Sequence, residues 1–303
     1  MTRISLIATV LNEGESIRGL MDSVVAQTQL PDEFVIVDGG SSDNTVAILE
    51  SYANKLPLKI IVEMGCNISA GRNRAIEAAT GEIIAITDAG VRLSPQWLEQ
   101  ITMPLLQNAA ISVVAGFFEA DPQTAFEIAM GATVLPLADE IDPQTFLPSS
   151  RSIALRKSAA QQVEMYPVWL DYCEDLIFDL RLKATQPDFV FVPGALVYFR
   201  PRETLRAFYK QYYLYARGDG KADLWRKRHL IRYITYLLIV PGVLLAGLII
   251  HPAFLLLYLI GGVIYMRQPY RRLPIIIQDA SDTFSFSWLY MIGMIPVIRI
   301  VGD

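Results

Sequence analysis

The first third of the chain alternates apolar runs with amphipathic stretches. "RISLIATVL" is almost continuously apolar, as in a strand covered on both faces. "GESIRGLMDSVVAQ" then places Ile17, Leu20, Met21, Val24 and Val25 at helical spacing. "EFVIVDGG" is a second strand ending in Asp38 and two glycines, with Ser42 or Asp43 placed to cap the helix "NTVAILESYANK". "LKIIVE" is a third strand. "ISAGRNRAIEAATG" is a helix with Ser69 near its N-cap and Gly81 just past its end. "EIIAITDAG" is a fourth strand, and "SPQWLEQITMPLLQ" a helix with Ser94 as N-cap and Pro95 at its first position. This alternation predicts a parallel, doubly wound α/β sheet over residues 1–116.

The pattern changes at the other end. From Tyr233 to Met266 there is no charged residue apart from a possible charge on His251. About 34 residues of helix would be roughly 50 Å long, too long for one bilayer crossing and suited to two short ones. Pro252 disfavours helix at His251, so the break is expected in "IIHPAF". Arg226, Lys227, Arg228 and Arg232 precede the hairpin, Arg267, Arg271 and Arg272 follow it, and its turn has no Lys or Arg. Basic flanks stay inside, which predicts both ends in the cytoplasm. A third apolar stretch, 284–301, carries Pro296 and Arg299 and is compatible with spanning, re-entering or lying in the interface.

Composition agrees with a polar domain joined to an apolar one. The chain has 303 residues, 52% hydrophobic and 19% charged, with mean hydropathy +0.34. A net charge of −5 argues against a general nucleic-acid binder. Two cysteines, Cys66 and Cys173, give neither a metal spacing nor a disulfide framework and are expected as reduced thiols. The N-terminus lacks the pattern of a signal peptide.

In doubly wound sheets, ligands bind at the carboxyl ends of the strands. "NEGE" follows the first strand there, Asp38 ends the second and Asp88 the fourth. "TVLNEGES" has a single glycine and there is no Walker A lysine loop, so a nucleotide would be held by side chains rather than a glycine cradle.

"TVLNEG", "VDGGSSDNT", "GRNRAIEAATGEIIAITDAG" and "YCEDLIFDLRLK", in that order, resemble the inverting nucleotide-sugar glycosyltransferases of glycosyltransferase family 2 over about residues 4 to 220. The resemblance implies a GT-A (nucleotide-diphospho-sugar transferase) domain with C-terminal transmembrane helices. On that reading 1–220 is the catalytic domain, with a nucleotide half (1–116) and an acceptor half with an interfacial helix (117–220). Residues 229–303 are the membrane region, with a hairpin at about 230–266. The implied reaction moves one sugar, favouring a UDP-sugar, to a hydroxyl of a lipid, lipid-linked or saccharide acceptor. It runs at the cytoplasmic face of the cell (inner) membrane in a multi-pass protein. The alternative is a catalytically degenerate nucleotide-sugar-binding subunit of a membrane glycan assembly complex.

The resemblance also assigns residues. Thr9, Leu11, Asn12 and Glu13 would line the base and ribose pocket, and Asp38 would accept from the base, a role suited to an acceptor-only carboxylate. Arg72 would reach the base or diphosphate. Asp88 matches the first acid of the family's Asp-x-Asp motif, which holds a divalent cation (Mg²⁺ or Mn²⁺) against the diphosphate, and Gly90 stands where the second acid would be. One carboxylate suffices only if the donor supplies further oxygens, so the cation is expected with donor. Arg92, Arg217 and Lys221 are candidates to neutralise the diphosphate instead, Arg217 being taken as donor-binding. An inverting transfer needs a base for the acceptor proton. The resemblance gives that role to Asp175, with Glu174 as support. "FLPSSRSIALRKS" with Arg151 is expected on the acceptor side. "QYYLYARGDG" is a loose counterpart of the Gln-x-x-Arg-Trp motif of processive members, and its divergence implies single-sugar transfer.

Overall fold

The computed structural model describes residues 2–186, 188–279 and 288–302. By contact the chain divides into two units: Met1–Glu119 with Leu137–Arg200, and Ala120–Pro136 with Pro201–Asp303. The second therefore includes an internal segment and the interfacial helix that the sequence reading joined to the acceptor half.

The first unit is built on strands β1 (Ile4–Val10), β2 (Glu33–Asp38), β3 (Leu58–Val62), β4 (Ile83–Ile86), β5 (Val91–Leu93), β6 (Val113–Ala120), β7 (Ile153–Arg156) and β8 (Val190–Phe199). Their order is β3-β2-β1-β4-β7-β6-β8-β5. The pairs β1–β2, β2–β3 and β1–β4 are parallel, as the alternation predicts. The pairs β4–β7, β6–β7 and β5–β8 are antiparallel, so the sheet is mixed, and the parallel expectation for residues 1–116 holds for β1 to β4 but not for β5 and β6.

The continuous apolar runs have their predicted cause. Leu6, Ala8 and Val10 of β1 enter one core, with Ile17, Leu20, Met21 and Val24 of α1 (Ile17–Val25) and Trp97, Leu98, Ile101 and Leu105 of α4 (Trp97–Gln107). Ile7 of β1 enters the opposite core, with Ala75 and Ile76 of α3 (Ile68–Ala78) and Phe178 and Leu182 of α7 (Glu174–Thr185). Both faces of a strand with helices on either side must be apolar.

Helix starts are less regular than the sequence signals. Asn67, not Ser69, caps α3, its side chain accepting from the Ala70 amide at 2.9 Å. Ser94 and Pro95 lie before α4, whose N-cap is Gln96, because they form a turn closed from Trp97 N to Ser94 O at 3.0 Å. Before α2 (Thr45–Glu50), Asp43 Oδ1 accepts from the Thr45 amide at 3.0 Å. The remaining helix of this unit is α6 (Lys157–Gln162).

The second unit is helical. It contains α5 (Ala125–Val134), α8 (Leu205–Lys221), α9 (Arg226–Ile234), α10 (Val240–Ile249), α11 (Leu256–Asp279) and α12 (Trp288–Gly302). Its core holds Phe126, Ile128, Ala129 and Met130 of α5, Phe208 of α8, Leu273 and Ile276 of α11, and Met291, Ile295 and Ile298 of α12. A π-helical turn, Thr235–Ile239, joins α9 to α10. Pro241, at the start of α10, lacks the amide that would continue the regular ladder there. Among the described residues, one helix, Arg226–Ile249, is long and apolar enough to cross a membrane, with a mean hydropathy of 1.8 over its apolar window. The predicted break is present, with a 3-10 turn at Pro252–Leu255. The second leg, α11, is apolar only as far as Met266 before Arg267. Of the stretch 284–301, residues 284–287 lie outside the described residues and the rest is in α12.

Candidate active site

The chain runs β1, β2, β3 outward and then returns to the other side of β1 for β4, so the strand order reverses at β1. This is where an open α/β sheet leaves a crevice beyond the strand ends. Thr9 lies near the end of β1, Asp38 ends β2 beside Val10, and Asp88 follows β4.

Two loops at this edge are fastened together. Asn12 has a left-handed backbone (φ 53). Its amide donates to Ser41 Oγ at 2.8 Å and its Oδ1 accepts from Ser42 N at 2.8 Å. The Glu13 and Gly14 amides both donate to Thr45 Oγ1, at 3.0 and 2.9 Å. Leu11 is left exposed. Asp38 is fully buried: Oδ1 accepts from the Gly40 and Ser41 amides at 2.8 and 2.7 Å, and Oδ2 from the Ser41 hydroxyl at 2.5 Å. Gly40 turns the chain there at φ +98, and a Cβ would stand 2.7 Å from Met64 Sδ. Asp38 thus shapes the turn, and its carboxylate has lone-pair capacity left for a further donor.

Arg72 joins the two halves of the constellation. A Cβ at the preceding Gly71 would lie 2.9 Å from Thr9 Cγ2, so glycine lets α3 approach β1 closely. Arg72 is 2% exposed. Its Nη2 donates to Asp88 Oδ1 and its Nη1 to Glu174 Oε1, both at 2.7 Å, and its guanidinium lies 5.1 Å from the Tyr166 ring centroid. The Nε atom is buried without a hydrogen-bond partner. Arg72 is thereby an internal strut between donor-side and acceptor-side acids, rather than the free arm reaching base or diphosphate that the sequence reading expects. Burial would push its proton off, but Asp88 and the other acids outweigh that and hold it charged.

Asp88 has a second cation beside it. Arg151 Nε lies 3.8 Å from Asp88 Oδ2. The Arg151 guanidinium stacks 4.4 Å from the Phe199 ring centroid and 5.4 Å from that of Phe118, with 22% of the side chain exposed. Burial would raise the Asp88 carboxyl, yet Arg72 and then Arg151 hold it below the ordinary range. Among the described residues no group of three or more His, Cys, Asp or Glu side chains can hold a metal. A single carboxylate flanked by two guanidinium groups does not fit a cation held by the chain alone. The missing second acid is not a packing effect, since a Cβ at Gly90 would meet nothing within 4 Å.

Glu174 and Asp175 open α7, where the helix dipole favours negative charge. The preceding residue, Cys173, is left-handed (φ 63), a conformation that costs of order 1–3 kcal/mol for a non-glycine residue. Burial pushes the Glu174 carboxyl up to about 7, against the pull of Arg72 and with the push of Asp175. Asp175 is half-buried, and its Oδ1 accepts from the Leu176 amide at 2.9 Å. One turn on, Asp179 is buried with Oδ2 unpartnered. Burial, then Asp175, push it well above the carboxylate range. The sequence reading missed this acid; its i, i+4 spacing from Asp175 was the available signal. Tyr166, stacked on Phe178 at 4.0 Å and sharing a 2.8 Å bond with the Ser150 hydroxyl, carried no signal.

Of the proposed cations, Arg92 stacks 4.3 Å from the Tyr198 ring centroid. Arg217 is exposed on α8 of the second unit, where Lys221 is the last helical residue. Besides Arg72, the first unit brings Arg151 to Asp88.

Residues 5–157 match the family model for Glycosyl transferase family 2, and residues 128–300 that for Glycosyl transferase family group 2. The uncharacterized glycosyltransferase YibD of Escherichia coli is 33% identical over 107 residues, 35% of this chain and 31% of that protein. The chain thus aligns with about a third of that relative's length. The mannosyltransferase PcManGT of Pyrobaculum calidifontis, solved with GDP-Man and Mn²⁺, superposes with a TM-score of 0.64 at 16% identity, covering 99% of this chain and 87% of that one. TarS 1-349 of S. aureus, solved with UDP-GlcNAc, gives a TM-score of 0.57 at 20% identity, covering 77% and 73%. These likenesses establish the GT-A fold of the sheet unit.

Proposed function

The chain belongs to glycosyl transferase family 2, and on that premise we propose that it transfers one sugar from a nucleotide diphosphate, with inversion, to an acceptor hydroxyl at a membrane. The observation that carries the reading is the Asp88–Arg72–Glu174 bridge. It ties the acid at the donor-side strand end to the helix that presents Asp175.

Thr9, Leu11, Asn12, Glu13 and Asp38 form the base and ribose wall. The acceptor oxygen attacks the anomeric carbon from the face opposite the diphosphate. As that bond forms, the carbon–oxygen bond to the diphosphate breaks, its electron pair leaves with the phosphate, and the hydroxyl proton passes to Asp175. Glu174, held by Arg72, keeps the start of α7 in place. Arg151 faces the diphosphate as a fixed positive charge, the kind of preorganised stabilisation that is worth most where charge develops. A Mg²⁺ or Mn²⁺ arriving with the donor would find one oxygen of the chain, Asp88 Oδ2, with Arg151 already beside it.

The acceptor is a lipid or lipid-linked hydroxyl. Support comes from the exposed apolar helix Arg226–Ile249 and from the basic residues at both ends of the hairpin, a charge distribution that favours a cytoplasmic side for its flanks. A donor screen tests the reading. The purified chain in detergent is given a panel of nucleotide sugars, and unfolding temperature and nucleotide diphosphate release are measured. A ligand of the folded state raises the melting point by mass action. A shift with one donor class and release on adding a lipid acceptor are expected. No shift with any donor refutes the donor site, and a shift without release under all acceptors favours the binding-subunit alternative.

A further inference from the structure

The segment 164–173, which leads from α6 into α7, is held in place by its backbone. Its carbonyls at Tyr166, Val168 and Leu170 accept from three side chains at the start of α3: Asn73 Nδ2 and Asn67 Nδ2, each at 2.8 Å, and Ser69 Oγ at 3.3 Å. Asn73 Oδ1 accepts in return from the Tyr166 amide at 2.8 Å. Tyr166 and Leu170 are buried, and Val168 and Trp169 between them are left 56% and 51% exposed. Ile68, between Asn67 and Ser69, and Tyr172 are exposed as well. Both ends of the segment are left-handed at residues with side chains: Glu164 and Met165 at φ 61 and 57, Cys173 at φ 63. Such backbone persists only where its surroundings over-determine it, and it gathers at ligand clamps. A tryptophan kept in water by a fixed backbone is thus a preorganised contact surface, and a partner binding it loses little to ordering the loop.

The helix that holds this surface also holds the catalytic acids. Asn67, Ser69 and Asn73 grip the segment, and Arg72 among them bonds Glu174 at 2.7 Å. Asp175 follows Cys173 by two positions. The base takes its proton from the acceptor, so a surface continuous with it belongs to the acceptor. Its chemistry is apolar. The three polar side chains of α3 that reach the segment are engaged by its backbone, whereas a sugar ring laid on Trp169 would need partners for its hydroxyls. Exposed acids, Glu164 and Asp171, bracket the apolar pair, which disfavours an anionic bilayer surface. We propose that Val168 and Trp169 form a platform for the alkyl chain of an uncharged amphiphilic acceptor whose hydroxyl reaches Asp175. The proposal rests on the sugar-transfer reading of the same site.

The test uses the full chain in digitonin, which has no n-alkyl chain to compete, with the donor that the thermal-shift screen identifies. Nucleotide diphosphate release is followed with methyl and n-dodecyl β-glycosides of glucose, galactose, mannose and N-acetylglucosamine. The parent should prefer the dodecyl glycoside by kcat/KM. In Trp169→Ala that preference should fall about tenfold, the effect of losing roughly 60 Å² of apolar contact. Trp169→Phe, which keeps a ring, should stay within about threefold. The donor's thermal shift should persist in both variants and shows that they are folded. A preference that is the same in all three proteins overturns the proposal, and an equal loss on both glycosides means that Trp169 contacts the sugar instead. Where neither glycoside accepts, a dodecyl glucoside with a diazirine at its chain end decides. It should label the tryptic peptide 158–181 of the parent and label that of Trp169→Ala much less; no label there overturns the proposal. A diazirine-bearing phosphatidylcholine that labels this peptide as strongly would make the segment a bilayer contact and overturn the acceptor assignment. A chain with no donor shift and no release fails the transfer reading itself, and the proposal falls with it; a donor shift with release indifferent to Trp169 fails the proposal alone.

Discussion

Arg72 and Arg299 both keep a buried Nε without a partner, yet their surroundings are opposite. Arg72 stands between Asp88 and Glu174, each 2.7 Å away, so its charge is met on two sides. Arg299 meets a backbone carbonyl and a tyrosine face, and a cavity beside it is lined by two further arginines. The first guanidinium is held by two acids; the second is held by a carbonyl oxygen and a ring face. A buried guanidinium is therefore not by itself a ligand-binding group: Arg72 serves to join two elements of the sheet unit.

The most severe break should come from Asp175. Asp175→Asn keeps the shape and removes the base, and turnover should fall about 10² to 10⁴-fold. Donor affinity, followed by thermal shift, should stay within a few-fold of the parent. Turnover close to the parent's would remove Asp175 from the mechanism.

Arg72→Met should act on stability. It leaves Asp88 and Glu174 without their shared counter-charge, and removing one partner of a buried ion pair costs about 3–5 kcal/mol. Urea unfolding checks this; a loss below 1 kcal/mol would mean the bridge is not a strut. Arg151→Gln should spare the fold and lower turnover about 10²-fold, the scale of losing one preorganised donor. A fully active Arg151→Gln protein would return the diphosphate to a donor-borne cation.

Gly90→Asp sharpens the same point, because the position has room for the missing acid. It should give the chain measurable Mn²⁺ binding by calorimetry once nucleotide diphosphate is present, where the parent binds weakly.

The smallest effect is a pH slope. Glu174 is raised from 4.5 to about 7 by burial, so between those values the folded state keeps a proton that the unfolded chain has lost. Stability from this group is full below about pH 4.5 and declines as pH rises towards 7. Unfolding midpoints of Glu174→Gln, compared with the parent across that window, should show a flatter decline. An unchanged slope would mean that Arg72 keeps Glu174 ionised.

The order of strands and helices from β1 to β4, the helix after them, the acids at the strand ends and the break before Pro252 were legible in the chain itself, whereas the short strand β5 was not. They depend on periodicity and on local backbone preferences, which act over a few residues. The antiparallel half of the sheet, the placement of α5 with the C-terminal helices, the Arg72 bridge and the cavity of arginines were not. Arg72 meets Glu174 across 102 positions of sequence, and Arg299 meets Thr133 across 166. Such contacts are set by which elements pack together and by how far side chains reach once they have. Tertiary structure alone determines which charges are compensated, because burial and counter-charge are properties of space and not of spacing.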